Sequence, residues 1–182
     1  GARLSVSTWS LHRALGRPAF YGPDDDQIPS ETHQRGAFSL LELPERIATF
    51  GISTLEICHF YLPSRDPGYL AELRGAIDGA GVELWSLLVD AGDVTDPIHG
   101  ARDAAWIAGW IDTAARLGAR RMRVIAGKAD ATPATLARSR EALAALATDA
   151  RNHGIRLMTE NWFGLLARPQ TVLQLLDALD GQ

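Results

Sequence analysis

The 182-residue chain carries a formal charge of −4, with 46% hydrophobic and 22% charged residues, the balance of an ordinary globular domain able to bury a core. That charge leaves no global basic footprint for nucleic acid, although Arg120, Arg121 and Arg123 form a small basic cluster, so nucleic acid is not an expected partner. A lone cysteine, Cys58, excludes an internal disulfide framework, and no apolar run approaches the roughly 18 residues of a membrane span. The expectation is one domain, residues 1–182, in the cytoplasm and away from membranes.

In chain order, "RLSVSTWSL" (3–11) reads as a first strand. A long irregular stretch, 12–38, follows and contains "AFYGPDDDQIPSETHQRG"; loops of that length are usually functional or disordered. "SLLELPERIATFG" reads as a helix from a Ser39 cap to a stop at Gly51, and "STLEICHFYL" (53–62) as a second strand. "DPGYLAELRGAIDGAG" sets Leu70, Leu73 and Ile77 at helical spacing before "VELWSLLVDAG" (82–92), a third strand. "ARDAAWIAGWIDTAARLGA" then puts Trp106, Trp110, Ala114 and Leu117 on one stripe ahead of Gly118. "RRMRVIAG" (120–127) is the fourth strand. A helix with a Thr132 cap, Pro133 in its first turn and Gly154 as its stop leads to "IRLMTENWFG" (155–164), the fifth. A last helix starts near Pro169 and carries Val172, Leu173, Leu175, Leu176 and Leu179.

Five β-α repeats imply parallel strands joined by right-handed crossovers. Two architectures fit: an open doubly wound sheet, complete at five strands, and a (β/α)₈ barrel, unfinished at this length. Periodicity alone favours the open sheet. No G-x-G-x-x-G, Walker or nucleophile-elbow pattern follows any strand. Asp24, Asp25 and Asp26 lack the spaced ligands and final glutamate of a calcium loop, so a solvated loop is expected there. Glu160 stands where a strand hands over to a loop, and an ionised carboxylate there needs a cation, donors or water around it.

The ordered set "LSVSTWSL", "LLELPERIATFGISTLEI", "LGARRMRVIAG" and "GIRLMTENWFG" resembles the xylose isomerase-like sugar isomerase/epimerase superfamily, which includes the apurinic-site endonucleases. The resemblance implies a TIM barrel of which this chain supplies the first five β-α units. It implies a divalent metal, Mn²⁺, Mg²⁺, Co²⁺ or Zn²⁺, held by carboxylate and imidazole ligands at the C-terminal ends of the later strands, with Glu160 matching the fifth-strand ligand and serving catalysis. The remaining ligands would lie on strands six to eight, whereas the sequence ends at "LLDALDGQ", so a piece of a longer enzyme is expected.

Alternation then turns Met158 and Glu160 toward the barrel axis, and Leu157 and Thr159 toward the helices. Glu56 most resembles the second-strand glutamate that approaches substrate, against a salt bridge with Arg123. Arg123 suits a substrate carboxylate or phosphate, against neutralising Glu56 or Glu160. His59 and His12 are candidates to hydrogen-bond a sugar hydroxyl, against plain surface histidines. Trp9 and Trp162 suit stacking on a sugar face, and Asn161 orients the ligand or binds substrate; Trp106 and Trp110 read as core filling. The chemistry implied is metal-assisted proton or hydride transfer on a small sugar, giving isomerisation or epimerisation, with dehydration a related outcome. Phosphodiester cleavage is the other enzyme class, weakened by strands three and four having no histidine. A metal-free sugar-binding module is the third reading, and homo-oligomerisation is left open.

Overall fold

The computed structural model describes residues 3–25, 27–28 and 36–179. Its strands are β1 (Ser5–Ser7), β2 (Thr54–Cys58), β3 (Glu83–Val89), β4 (Arg121–Val124) and β5 (Arg156–Met158). They form one sheet in the order β1-β2-β3-β4-β5, every neighbouring pair parallel. A doubly wound sheet has a point where strand order reverses, and this sheet has none. Sequential parallel strands with intervening helices are the arrangement of a partial TIM barrel, so the open sheet that periodicity favoured is set aside.

The helices are α1 (His12–Leu15), α2 (Leu43–Thr49), α3 (Pro67–Gly79), α4 (Gly100–Leu117), α5 (Pro133–Asn152) and α6 (Pro169–Leu179). The α5 start follows the expected chemistry: Thr132 and Thr135 form a reciprocal capping box, with Pro133 in the first turn. At α2 the expectation fails. Ser39 does not cap the helix; its backbone N–H and hydroxyl both donate to the Glu42 carboxylate, and helix begins only at Leu43. The α4 helix ends at Gly118, whose φ of 75° is open to glycine at little cost.

Several strands are shorter than their apolar runs. β1 stops because the Ser7 hydroxyl accepts the Trp9 N–H at 3.2 Å and turns the chain into a 3₁₀ segment, Thr8–Leu11. β5 stops at Met158; beyond it the Trp162 N–H donates to the Glu160 carbonyl at 2.8 Å, and Phe163 takes a left-handed φ of 56°.

Register sorts the side chains by face, because partners across a parallel ladder point the same way. Leu55, Ile57, Leu87, Val89, Met122 and Val124 are buried with Ile107, Trp110, Ile111, Leu143 and Leu146 of the helices in one core. The opposite face carries Ser7, Glu56 and Ser86 in register, then Cys58, Leu88, Arg123 and Met158. Asp90, two residues past Leu88, and Glu160, two past Met158, continue that inner face. Among the described residues no helix is long and apolar enough to cross a membrane.

Candidate active site

Alternation along β4 and β5 brings Arg123 and Glu160 to the same face, and their side chains meet there. Arg123 Nη1 donates to Glu160 Oε1 at 2.7 Å. Its Nη2 lies 2.6 Å from Asp90 Oδ1. That second contact is a close ion pair between two buried groups, and the Coulombic attraction of Arg123 is its larger part. Arg123 and Asp90 are 9% and 8% exposed, whereas the Glu160 side chain is 48% exposed. One guanidinium is thus anchored on a buried carboxylate and reaches a wetter one.

Glu56 and Cys58 feel this cluster, and Asp90 within it is shifted as well. Glu56 sits in the middle of β2 rather than at its end, since Ile57 and Cys58 extend the strand. Burial raises its pKa, Arg123 opposes the shift and Glu160 adds to it. Asp90 is also raised, by burial first, with Arg123 pulling the other way. The Cys58 thiol is pushed up to about 11 by burial and then by the nearby Asp90 charge, so it is not a reactive thiolate. Trp162 flanks the cluster, its ring 5.5 Å from the Arg123 guanidinium carbon and stacked on Phe163 at 4.5 Å. Asn161 is exposed on the same turn.

The other sequence candidates lie elsewhere. Trp9 and His12 line a separate cavity of about 610 Å³ with Arg17, Pro18, Phe20, Phe60 and Tyr61. Trp9 packs edge-on against Phe60, and a His12 ring N–H donates to the Trp9 carbonyl at 3.1 Å. His59 is neither a surface residue nor open to a sugar hydroxyl: it is fully buried and both ring nitrogens are engaged. Nε2–H donates to the Tyr21 carbonyl at 2.9 Å, and Nδ1 accepts the Asp90 N–H at 3.1 Å. Burial pushes the imidazole down to about 4 despite the Tyr21 bond. Its placement depends on aromatic side chains far apart in sequence, which a lone histidine does not announce. Of the acidic loop, Asp24 pairs with Arg102 at 2.8 Å, Asp25 accepts from the Gln27 N–H, and Asp26 lies outside the described residues.

Sequence reasoning missed Asp90 and Cys58 as inner-face groups. The signal was present in "LLVDAG": two residues past Leu88, an aspartate falls on the face that Arg123 and Glu160 share.

The family model for the xylose isomerase-like TIM barrel matches residues 44–182. The chain belongs to that family. Among solved structures of this fold, L-ribulose 3-epimerase superposes at a TM-score of 0.66, with 21% identity over 100% of this chain and 58% of its own. The probable 3-DHS dehydratase AsbF of Bacillus anthracis, involved in petrobactin synthesis, gives 0.71, with 13% identity over 98% of this chain and 60% of its own. The 3-keto-D-glucoside 4-epimerase YcjR of E. coli gives 0.62 and 17% identity, over 82% of this chain and 64% of its own. The chain therefore spans 58%, 60% and 64% of the length of these three. No curated protein matches it.

The residues present do not by themselves make a metal site. Among the described residues no three His, Cys, Asp or Glu side chains converge on one cation position. Asp90 Oδ1 is already taken up by the Arg123 guanidinium, 2.6 Å away, rather than turned toward a metal position. What the five units supply is one well-exposed carboxylate, Glu160, held by a guanidinium.

Proposed function

We propose that this chain carries the proton-transfer half of a sugar isomerase or epimerase site. The observation behind the reading is the convergence of Arg123, Glu160 and Asp90 on the inner face at the C-terminal side of the sheet, the end where TIM-barrel enzymes hold their chemistry, with Glu56 on the same face near enough to feel Arg123 and Glu160. A small hydroxy-carbonyl sugar fits the solved neighbours, two of which are named as sugar epimerases.

In this reading Glu160, exposed and on the axis side, removes the proton from the carbon next to the substrate carbonyl. Arg123 holds Glu160 through Oε1 and so orients the carboxylate, leaving Oε2 to take the proton. Glu56, whose burial favours its neutral form, suits a group that holds a proton beside the substrate. Trp162 walls the site and stacks on an apolar sugar face, with Asn161 beside it as a donor. Arg123 serves the enzyme's own carboxylates rather than a substrate phosphate, since both its outer nitrogens already face carboxylates. Trp9 and His12 contribute a more distant contact through their own cavity.

Glu160 is also the ligand this chain would give to a divalent cation, Mn²⁺, Mg²⁺, Co²⁺ or Zn²⁺, completed by groups outside these five units. Such a cation, if bound, would supply Lewis-acid chemistry at that end of the sheet. Dehydration begins with the same proton removal, and AsbF shows the fold in a probable dehydratase.

The test uses the full chain with Mn²⁺ added, in deuterated water, with L-ribulose and D-psicose as probes, reading deuterium uptake next to the carbonyl by NMR. Glu160→Gln keeps volume and removes charge, so uptake falls by roughly 10²-fold or more while the circular dichroism is unchanged. Wild-type uptake retained in a folded Glu160→Gln protein overturns the reading.

A further inference from the structure

Four side chains link the loop after β1 to the turn after β5, and the links run unbroken. Tyr21 belongs to that first loop and is buried; its carbonyl accepts from His59 Nε2–H. His59 Nδ1 accepts the Asp90 N–H at the end of β3. The Asp90 carboxylate lies against Arg123 Nη2, and Arg123 Nη1 donates to Glu160. We infer that His59, Asp90 and Arg123 are positioning residues that couple the loop after β1 to the orientation of the Glu160 carboxylate.

The ring of His59 has no freedom to turn. It is packed edge-on by Phe20, Tyr21, Phe60, Trp106 and Trp110, with centroids 5.6, 5.2, 5.3, 5.5 and 5.3 Å away. Rotation would orphan a buried carbonyl and a buried amide together, a desolvation cost that fixes the imidazole. A fixed imidazole fixes the Asp90 backbone. The Asp90 carboxylate that meets Arg123 at 2.6 Å is carried on the same residue whose N–H is bound to His59, so the imidazole sets the backbone from which that carboxylate reaches. Arg123, buried and planar, transmits the placement as a rigid fork. Its free end grips the only half-exposed member of the chain of contacts, Glu160. A displacement of Tyr21 therefore reaches the Glu160 oxygen through His59, Asp90 and Arg123.

A core-filling His59 would require none of this, and two substitutions separate the roles. His59→Phe keeps the aromatic packing and removes both hydrogen bonds; His59→Gln restores a donor and an acceptor. The readout is ¹⁵N NMR of the Arg123 guanidinium in the full chain, where a clamped fork rotates slowly and shows separate Nη signals. His59→Phe is expected to merge those signals and His59→Gln to keep them separate. With L-ribulose as probe, His59→Phe is expected to lower kcat about 10-fold with KM within about 2-fold, the pattern of a misplaced reacting group. Unchanged Arg123 signals in folded His59→Phe overturn the inference. Should that variant not fold, His59→Asn decides: its shorter amide cannot span both the Tyr21 carbonyl and the Asp90 N–H, so the Arg123 signals merge if the relay holds and stay separate if it does not. The kcat arm rests on Glu160 being the reacting carboxylate. If Glu160→Gln leaves turnover intact, that reading fails alone, since the NMR arm reads the coupling without it.

Discussion

β3 and β5 belong to one sheet and are built on opposite terms. β3 runs seven residues, Glu83–Val89, and is buried over most of its length; β5 runs three, Arg156–Met158, and none of them is fully buried. β3 has partners on both sides, while β5 is paired on one side only among the described strands. A cavity of about 1150 Å³ lies along β5 between Leu157, Met158, Leu143 of α5 and Leu176 of α6. The centre of the sheet thus carries the packing, and its margin carries the carboxylate that the proposed chemistry uses. Group flexibility suits a reacting side chain, and enclosure suits the residues that aim it.

The largest effect sharpening this contrast is expected behind β3. Trp110 is fully buried and carries the Arg65 guanidinium 4.1 Å over its ring. Trp110→Ala is expected to cost about 3–5 kcal/mol by denaturant titration. Met158→Ala, on the half-buried β5, is expected to cost no more than about 2 kcal/mol. Equal losses would show that the two strands are equally committed to the core.

Next comes a pH effect seated at the β2–β3 junction. The His59 imidazole has an ordinary value of 6.5 and about 4 in the fold. Between those values the unfolded chain binds the extra proton, so stability from this group is complete above pH 6.5 and drains as pH falls toward 4. The span is worth about 3 kcal/mol. Glu56 and Asp90 act in the opposite sense, because their raised values favour the folded state as pH falls from neutral. Denaturant midpoints of wild type and His59→Gln at pH 7 and pH 4 isolate the histidine: the wild type alone is expected to show this acid loss, and parallel profiles would contradict it.

How much of this was legible depends on which side chains are near in sequence. The strands were readable because apolar runs alternate with glycine-stopped helices, and Arg123 and Glu160 were readable as inner-face residues because a strand repeats every second residue. Strand order was not: periodicity is the same in an open sheet and in a barrel, and only the pairing β1-β2-β3-β4-β5 separates them. Ser39 looked like a cap because serine before an apolar run is the usual signal, yet Glu42 captures its hydroxyl first. His59 and Asp90 were hidden for one reason. Their roles come from contacts with Tyr21, Trp106, Trp110 and Arg123, each on another element.

A smaller effect tests the Arg123 fork itself. The Glu160 arm is half exposed, and solvent-screened pairs contribute about 0–1 kcal/mol. Glu160→Gln is therefore expected to shift stability by under about 1 kcal/mol, while Arg123→Leu, which strands the buried Asp90 carboxylate, is expected to cost about 3–5 kcal/mol. A large loss from Glu160→Gln would place that carboxylate among the structural ion pairs.

The smallest expected change lies on α6, beside the β5 margin. Leu175 is 2% exposed and Leu176 is 52% exposed, adjacent residues on opposite sides of one helix face. Removing a buried leucine side chain costs about 2–5 kcal/mol through lost transfer energy and the cavity left behind. A half-exposed leucine has much less apolar surface to return to water, so Leu176→Ala is expected to cost under about 1 kcal/mol while Leu175→Ala falls in the buried range. Both are measured by denaturant titration in the 182-residue chain and in any longer protein that contains it. A small loss in both settings means the β5 margin stays open to solvent. A core-sized loss for Leu176→Ala in the longer protein alone means that further structure packs along this groove, and that the contrast between β3 and β5 belongs to these five units and not to the whole molecule.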